Sequence, residues 1–221
     1  QRAAEHLFAI ARENDFTLFE YFQTDVAGHS LDYARACAVL RIYDRFLSAL
    51  LAYTEAAGMT VVITSDHGRH ITEDYIVTES VFHIPLLFYA PKHIAPEVRS
   101  DLVAQADITP TALSMMGLEY DNHGIGIDLM SDSRDYVVYT TISHYACRDH
   151  KWLYAHNPAA GADYLEAEGN DRLINLASER PDIVERMQLH AKATIQTGWD
   201  IHNTVTAPST KQSTNHANDN E

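Results

Sequence analysis

Two short clusters in this sequence pair a carboxylate with an imidazole. In the first, Thr24-Asp25-Val26-Ala27-Gly28-His29, Asp25 and His29 stand four positions apart. A curled loop brings such a pair to one cation, and Ala-Gly between them makes the curl cheap. The competing reading makes Asp25 a cap for a helix that begins near His29-Ser30. The second cluster, Thr64-Ser65-Asp66-His67-Gly68, follows the most strand-like run in the chain. An adjacent Asp and His at a strand's carboxyl end offer a hard oxygen and a borderline nitrogen to the same crevice, while Gly68 gives the backbone room to turn. Taken alone, Asp-His-Gly is also an ordinary strand-to-loop turn. Two Asp/His pairs that end two neighbouring strands are better explained by a shared ligand, a divalent cation.

The elements that must position these residues follow from periodicity. Residues 1–13 space Ala, Leu, Phe and Ile as an amphipathic helix does, and the aromatic-rich run Phe16 to Phe22 reads as a strand. Leu31 to Ala57 returns to helical periodicity with Gly58 as its stop, and Met59 to Thr64 is a continuous β-branched run. Strand, helix, strand is a βαβ unit. Because strands that are apolar throughout belong in sheets covered on both faces, the expected fold class is α/β, a doubly wound, mainly parallel sheet flanked by helices, with ligands at the strands' carboxyl ends. Ile84 to Tyr89 is a further strand, and Asp107-Ile108-Thr109-Pro110 opens a short helix that runs to Met116 and ends at Gly117. Tyr136 to Ile142 and Lys151 to His156 read as a strand pair, and Pro181 to Gln196 as a terminal helix. The polar run from Thr204 onward reads as a disordered tail.

Composition excludes several classes. With 221 residues, 46% of them hydrophobic, the chain is long enough for a sizeable core. A formal charge of −15 repels polyanions, so nucleic acid is not an expected partner. An acidic chain rich in Asp and His suits metal cations better. No window approaches the roughly 18 apolar residues of a membrane span. Cys37 and Cys147 are too few and too distant for a disulfide framework or a zinc ribbon, and read as buried thiols. The start at Gln1, inside a helical pattern, is read as part of a longer polypeptide.

Asp25-x-x-x-His29 followed by Ser65-Asp66-His67-Gly68 resembles the paired metal motifs of the alkaline phosphatase/sulfatase superfamily. Downstream, His83-Ile84-Pro85-Leu86, Asp107-Ile108-Thr109-Pro110-Thr111 and Gly124-Ile125-Gly126-Ile127-Asp128-Leu129 are similar to segments of that superfamily in the same order. Arg148-Asp149-His150-Lys151-Trp152-Leu153, Asn175-Leu176-Ala177 and Pro181-Asp182-Ile183 resemble the sulfatase C-terminal subdomain. The resemblance implies residues 1–134 as the metal-binding half of an α/β domain whose N-terminal half is incomplete here. It makes 135–200 a small strand-pair-plus-helix subdomain and leaves 204–221 as the tail.

The resemblance further implies two divalent cations, zinc first and manganese second. Asp25 and His29 would take one, Asp66 and His67 the other. A third ligand for the first cation normally stands upstream of the Pro-containing strand. Glu73-Asp74-Tyr75 occupies that interval, so Asp74, His70 and His83 are the candidates, with His83 equally readable as a structural residue and His123 as a solvated one. The family's nucleophile, a Thr, Ser or modified Cys, lies ahead of these motifs. The implied function is therefore a metal-dependent hydrolase or transferase of small phosphate, sulfate or phosphonate esters, with this chain supplying metal ligands and inactive by itself. The alternative is a non-catalytic metal- or anion-binding remnant of such a domain.

Overall fold

A computed structural model describes residues 1–68, 82–141, 143–168 and 174–206. The chain divides into two compact units, with the boundary between Arg99 and Ser100.

The first unit contains α1 (Arg2–Ala11), α2 (Gln23–His29), α3 (Tyr33–Ala57), β1 (Val61–Thr64) and β2 (Leu86–Tyr89). Its core forms where α1 and α3 meet. Ala4, Phe46 and Leu50 are buried there, with Leu7, Phe8, Tyr43 and Tyr53 packed around them. Phe8 stacks on Tyr53 at 5.5 Å, and Tyr21 on Tyr43 at 4.8 Å. The 25-residue α3 begins at Asp32, whose side chain accepts from Arg35 N at 3.0 Å. It ends at Gly58, whose left-handed φ of 71° lets Met59 N reach back to Thr54 O at 2.9 Å. The last turn of α3 carries no basic residue of its own. Lys92 Nζ, 2.8 Å from Ala56 O, and His93 Nε2, 2.8 Å from Gly58 O, satisfy its terminal carbonyls instead. Tyr89 Oη donates to Glu55 at 2.7 Å, so the end of β2 is tied to the end of α3.

Two expectations for this unit need correction. Phe16 to Phe22 forms no strand among the described residues; it runs as irregular chain into α2. An aromatic run becomes a strand only when a ladder partner takes its backbone groups, and none is present among the described residues. The expected pairing is parallel, but among the described residues β1 and β2 pair antiparallel, with Val61 opposite Tyr89 and Thr64 opposite Leu86. The uninterrupted apolar pattern signals burial, not strand direction. The α/β class itself stands.

In the second unit a 3-10 turn, Gln105–Asp107, leads into α4 (Ile108–Met115). Asp107 is fully buried and organises what surrounds it. Its carboxylate accepts from Ala104 N at 2.8 Å, Ile127 N at 2.9 Å and Arg134 Nε at 2.9 Å. Thr111 extends this network, donating to Asp107 O at 2.6 Å and accepting from Leu129 N at 3.0 Å. The turn at Gly126 passes so close to the 3-10 turn that a Cβ there would sit 2.0 Å from Ala106 O.

Beyond this network lies a four-stranded antiparallel meander of β3 (Tyr136–Thr140), β4 (Tyr145–Asp149), β5 (Trp152–Asn157) and β6 (Ala162–Ala167). The 26-residue α5 (Pro181–Thr206) covers one face, burying Met187 and Ala191 against Cys147, Trp152, Tyr154 and Leu165. The two strands read from sequence are not hydrogen-bonded neighbours, because β4 lies between them. β4 and β6 escape a hydrophobicity reading because charges interrupt them, Arg148 and Asp149 in one and Asp163 and Glu166 in the other. The helix also continues past Gln196, so Thr204 to Thr206 are helical; the rest of the expected tail lies outside the described residues. Among the described residues, no helix is long and apolar enough to cross a membrane.

Two predictions follow from these cores. Gly126→Ala forces a methyl group into the Ala106 backbone and should cost about 2–4 kcal/mol, read from the denaturant midpoint. Burial raises the Cys147 thiol to about 12, so iodoacetamide at pH 8 should modify the folded protein at Cys37 alone and the unfolded protein at both cysteines, counted by mass.

Candidate metal centre

The first half of the site is a helical turn. Residues 23–29 fold as α2, with Thr24 Oγ1 donating to Tyr21 O at 3.1 Å at its start and Ser30 Oγ donating to Ala27 O at 2.7 Å at its end. Residues four apart share a helix face, and His29 Nε2 accordingly lies 3.1 Å from Asp25 Oδ1. Neither the curled loop nor the capping role expected for Asp25 is observed. Gly28 disguised the helix, since glycine lowers helical propensity, and Asp32 is the residue that caps α3.

The second half is the loop that leaves β1. It delivers His67 to the same carboxylate, with Nε2 3.3 Å from Asp25 Oδ1 and 3.6 Å from Asp66 Oδ2. The rings of His29 and His67 meet edge-on, with centroids 5.9 Å apart. One ligand atom from each of Asp25, His29 and His67 lies within 4.8 Å of the others. Tetrahedral ligands bound at about 2.1 Å stand about 3.4 Å apart. The two contacts to Asp25 Oδ1 match that spacing, so this donor set of two nitrogens and a carboxylate oxygen fits a divalent cation. The side chains of Asp25, His29 and His67 are 41–43% exposed and that of Asp66 is 78% exposed, which leaves the site open to solvent.

Hydrogen bonding fixes the character of His67. Its Nδ1 sits 3.0 Å from the Gly68 carbonyl, a group that only accepts, so Nδ1 carries a hydrogen. In the neutral ring the Nε2 lone pair therefore faces two carboxylate oxygens. That arrangement is repulsive unless a proton or a metal cation lies between them. The bond to Gly68 is the largest cause and raises the pKa of the imidazole above its usual value; burial comes next and opposes it, and the charges of Asp66 and Asp25 add to the rise.

Of the four expected ligands, Asp25, His29 and His67 come together, while Asp66 stands outside that group and approaches His67 at 3.6 Å. His83 is exposed and stands outside the cluster, and Asp74 and His70 lie outside the described residues. His123 is a solvated residue of the second unit. The sequence reading singled out Gly68 for its backbone freedom and missed its carbonyl, which orients the His67 ring.

A family model described as Metalloenzyme superfamily matches residues 1–120. The chain belongs to that superfamily. Membership carries divalent-metal binding. A 2,3-bisphosphoglycerate-independent phosphoglycerate mutase of Rhodopirellula baltica is 29% identical over 124 residues, which cover 52% of this chain and 22% of that protein. The chain matches only 20–25% of the length of such mutases. An alkaline phosphatase superfamily protein from Vibrio parahaemolyticus shares the fold with a TM-score of 0.64 at 16% identity, over 87% of this chain and 45% of that one. A phosphonate monoester hydrolase from Silicibacter pomeroyi aligns with a TM-score of 0.54 at 20% identity, over 73% of this chain and 38% of that one.

The raised pKa of His67 sets the sign of a pH effect. Protons compete with metal at Nε2, so apparent zinc affinity should fall on acidification from above the ordinary imidazole value of about 6.5. A calorimetric titration between pH 8 and pH 5.5 checks this, and an affinity independent of pH would contradict it.

Proposed function

We propose that this chain is the metal-binding part of an enzyme that hydrolyses or transfers phosphate esters, with sulfate and phosphonate esters as the related alternatives. The observation that carries the proposal is the Asp25 carboxylate oxygen shared by two imidazoles on separate elements, His29 on α2 and His67 after β1. Two divalent cations are assigned to the site, zinc in preference to manganese because both pairs contribute a borderline nitrogen donor. Asp25 and His29 would hold the first, Asp66 and His67 the second. Bound cations supply charge that offsets the negative charge growing on the transferred group in the transition state.

The residues of this chain have three roles in that scheme. Asp25 sets the spacing between the imidazoles. The Gly68 carbonyl keeps the Nδ1 hydrogen of His67 in place so that Nε2 faces inward. The solvent-open rim admits a small ester. Asp25 beside His29 favours a two-metal phosphorus chemistry over a one-metal sulfatase arrangement, since paired cations suit the more highly charged phosphoryl group. The nucleophile is assigned to none of this chain's residues, and covalent catalysis and most of the orientation advantage depend on it.

The chain loaded with zinc or manganese should therefore bind metal but turn over aryl phosphate, phosphodiester and sulfate substrates at background rates. Enzyme-like turnover abolished by Asp66→Ala would show that the chain carries its own nucleophile. Metal affinity unchanged by Asp25→Ala would remove the metal centre itself, and with it the proposed function.

A further inference from the structure

The loop carrying Asp66 and His67 holds one more polar group. Ser65 Oγ donates to the His67 carbonyl at 2.9 Å and lies 3.4 Å from Asp66 Oδ1. β1 ends at Thr64, so the ladder with β2 no longer fixes these residues. The His67 side chain is 43% exposed and gains little restraint from packing. Polar contacts give it direction: Ser65 Oγ holds its carbonyl, the Gly68 carbonyl holds Nδ1, and Nε2 faces the carboxylates of Asp25 and Asp66. The same hydroxyl lies on the Oδ1 side of Asp66, and Oδ2 is the oxygen that faces His67 Nε2.

We infer that Ser65 is a positioning residue for the metal centre, aiming His67 Nε2 at the Asp25 carboxylate and presenting Oδ2 of Asp66 to the same point. The inference rests on the metal-centre reading and adds a determinant of affinity that touches no cation. A hydroxyl at the root of a loop substitutes for the packing that an exposed ligand lacks. Groups that orient ligands in this way typically contribute about 10- to 100-fold in metal affinity.

The test is cobalt binding to the full chain, followed by calorimetry and by the visible absorption of the bound ion. Ser65→Ala should weaken binding by about 10-fold or more and alter the absorption bands, because the ligand geometry changes, while the thermal unfolding midpoint stays close to that of the unmodified protein. Ser65→Thr keeps the hydroxyl and should restore both affinity and spectrum. In a His67→Ala background, Ser65→Ala should cost much less, since its principal target is gone. An affinity for Ser65→Ala within about twofold of the unmodified protein overturns the inference, as does an undiminished loss in the His67→Ala background. Asp25→Ala separates the two levels of argument. If that variant binds cobalt as tightly as the unmodified protein, the metal-centre reading fails and the role of Ser65 fails with it; if its binding collapses while Ser65→Ala binds normally, only the role of Ser65 fails.

Discussion

One carboxylate oxygen facing two imidazole nitrogens is the constraint around which the first unit is arranged. Asp25 Oδ1 lies 3.1 Å from one ring and 3.3 Å from the other, and the His67 tautomer is set by a backbone carbonyl on its far side. Lone pairs brought together in this way repel unless a positive charge sits among them. The fold supplies the rigidity that keeps them close. α2 holds Asp25 and His29 one turn apart, and the α1–α3 core with its stacked aromatic rings anchors the helices to which α2 connects. β1 fixes the root of the loop that bears His67, and the basic groups after β2 close the end of α3 from which β1 departs.

The second unit rests on a different charge. Asp107 is buried completely, and a carboxylate without water is costly unless every lone pair finds a donor. Two backbone amides and the Arg134 guanidinium provide those donors. The requirement dictates the close approach at Gly126, because the Ile127 amide reaches Asp107 only if the preceding residue passes against Ala106 without a side chain. Here a buried charge ties three stretches of chain together, whereas in the first unit the grouped donors are exposed.

Most of the fold's helical content is legible in the residues. α1, α3, α4 and α5 follow the apolar periodicity, the Asp107-x-x-Pro110 start and the Gly58 and Gly117 stops, because helical hydrogen bonds are local and leave a local signature. Strand partners are less legible. β1 and β2 are recognisable as strands from their β-branched and apolar runs, yet their antiparallel pairing depends on residues more than twenty positions apart. β4 and β6 mix charged with apolar positions: Cys147 and Leu165 pack under α5, while Asp149 pairs with Arg186 of α5 and Asp163 accepts from Tyr154, partners that only the tertiary structure supplies.

The sequence by itself determined the chemical kinds at the centre: Asp25 with His29, and Asp66 with His67, each pair at a spacing that suits a cation and each next to a glycine. It also determined the α/β class, through the order of apolar periodicities. Tertiary structure decided what the pairs do with one another. It made α2 a helix despite Gly28, grouped His67 with Asp25 and His29, and left Asp66 at the margin. It also turned Gly68 from a flexible hinge into the acceptor that sets a tautomer. Spacing along a chain specifies which atoms are available, but a distance of 3.3 Å between Asp25 and His67, forty-two residues apart, depends on α3, packed against α2, returning the chain to β1.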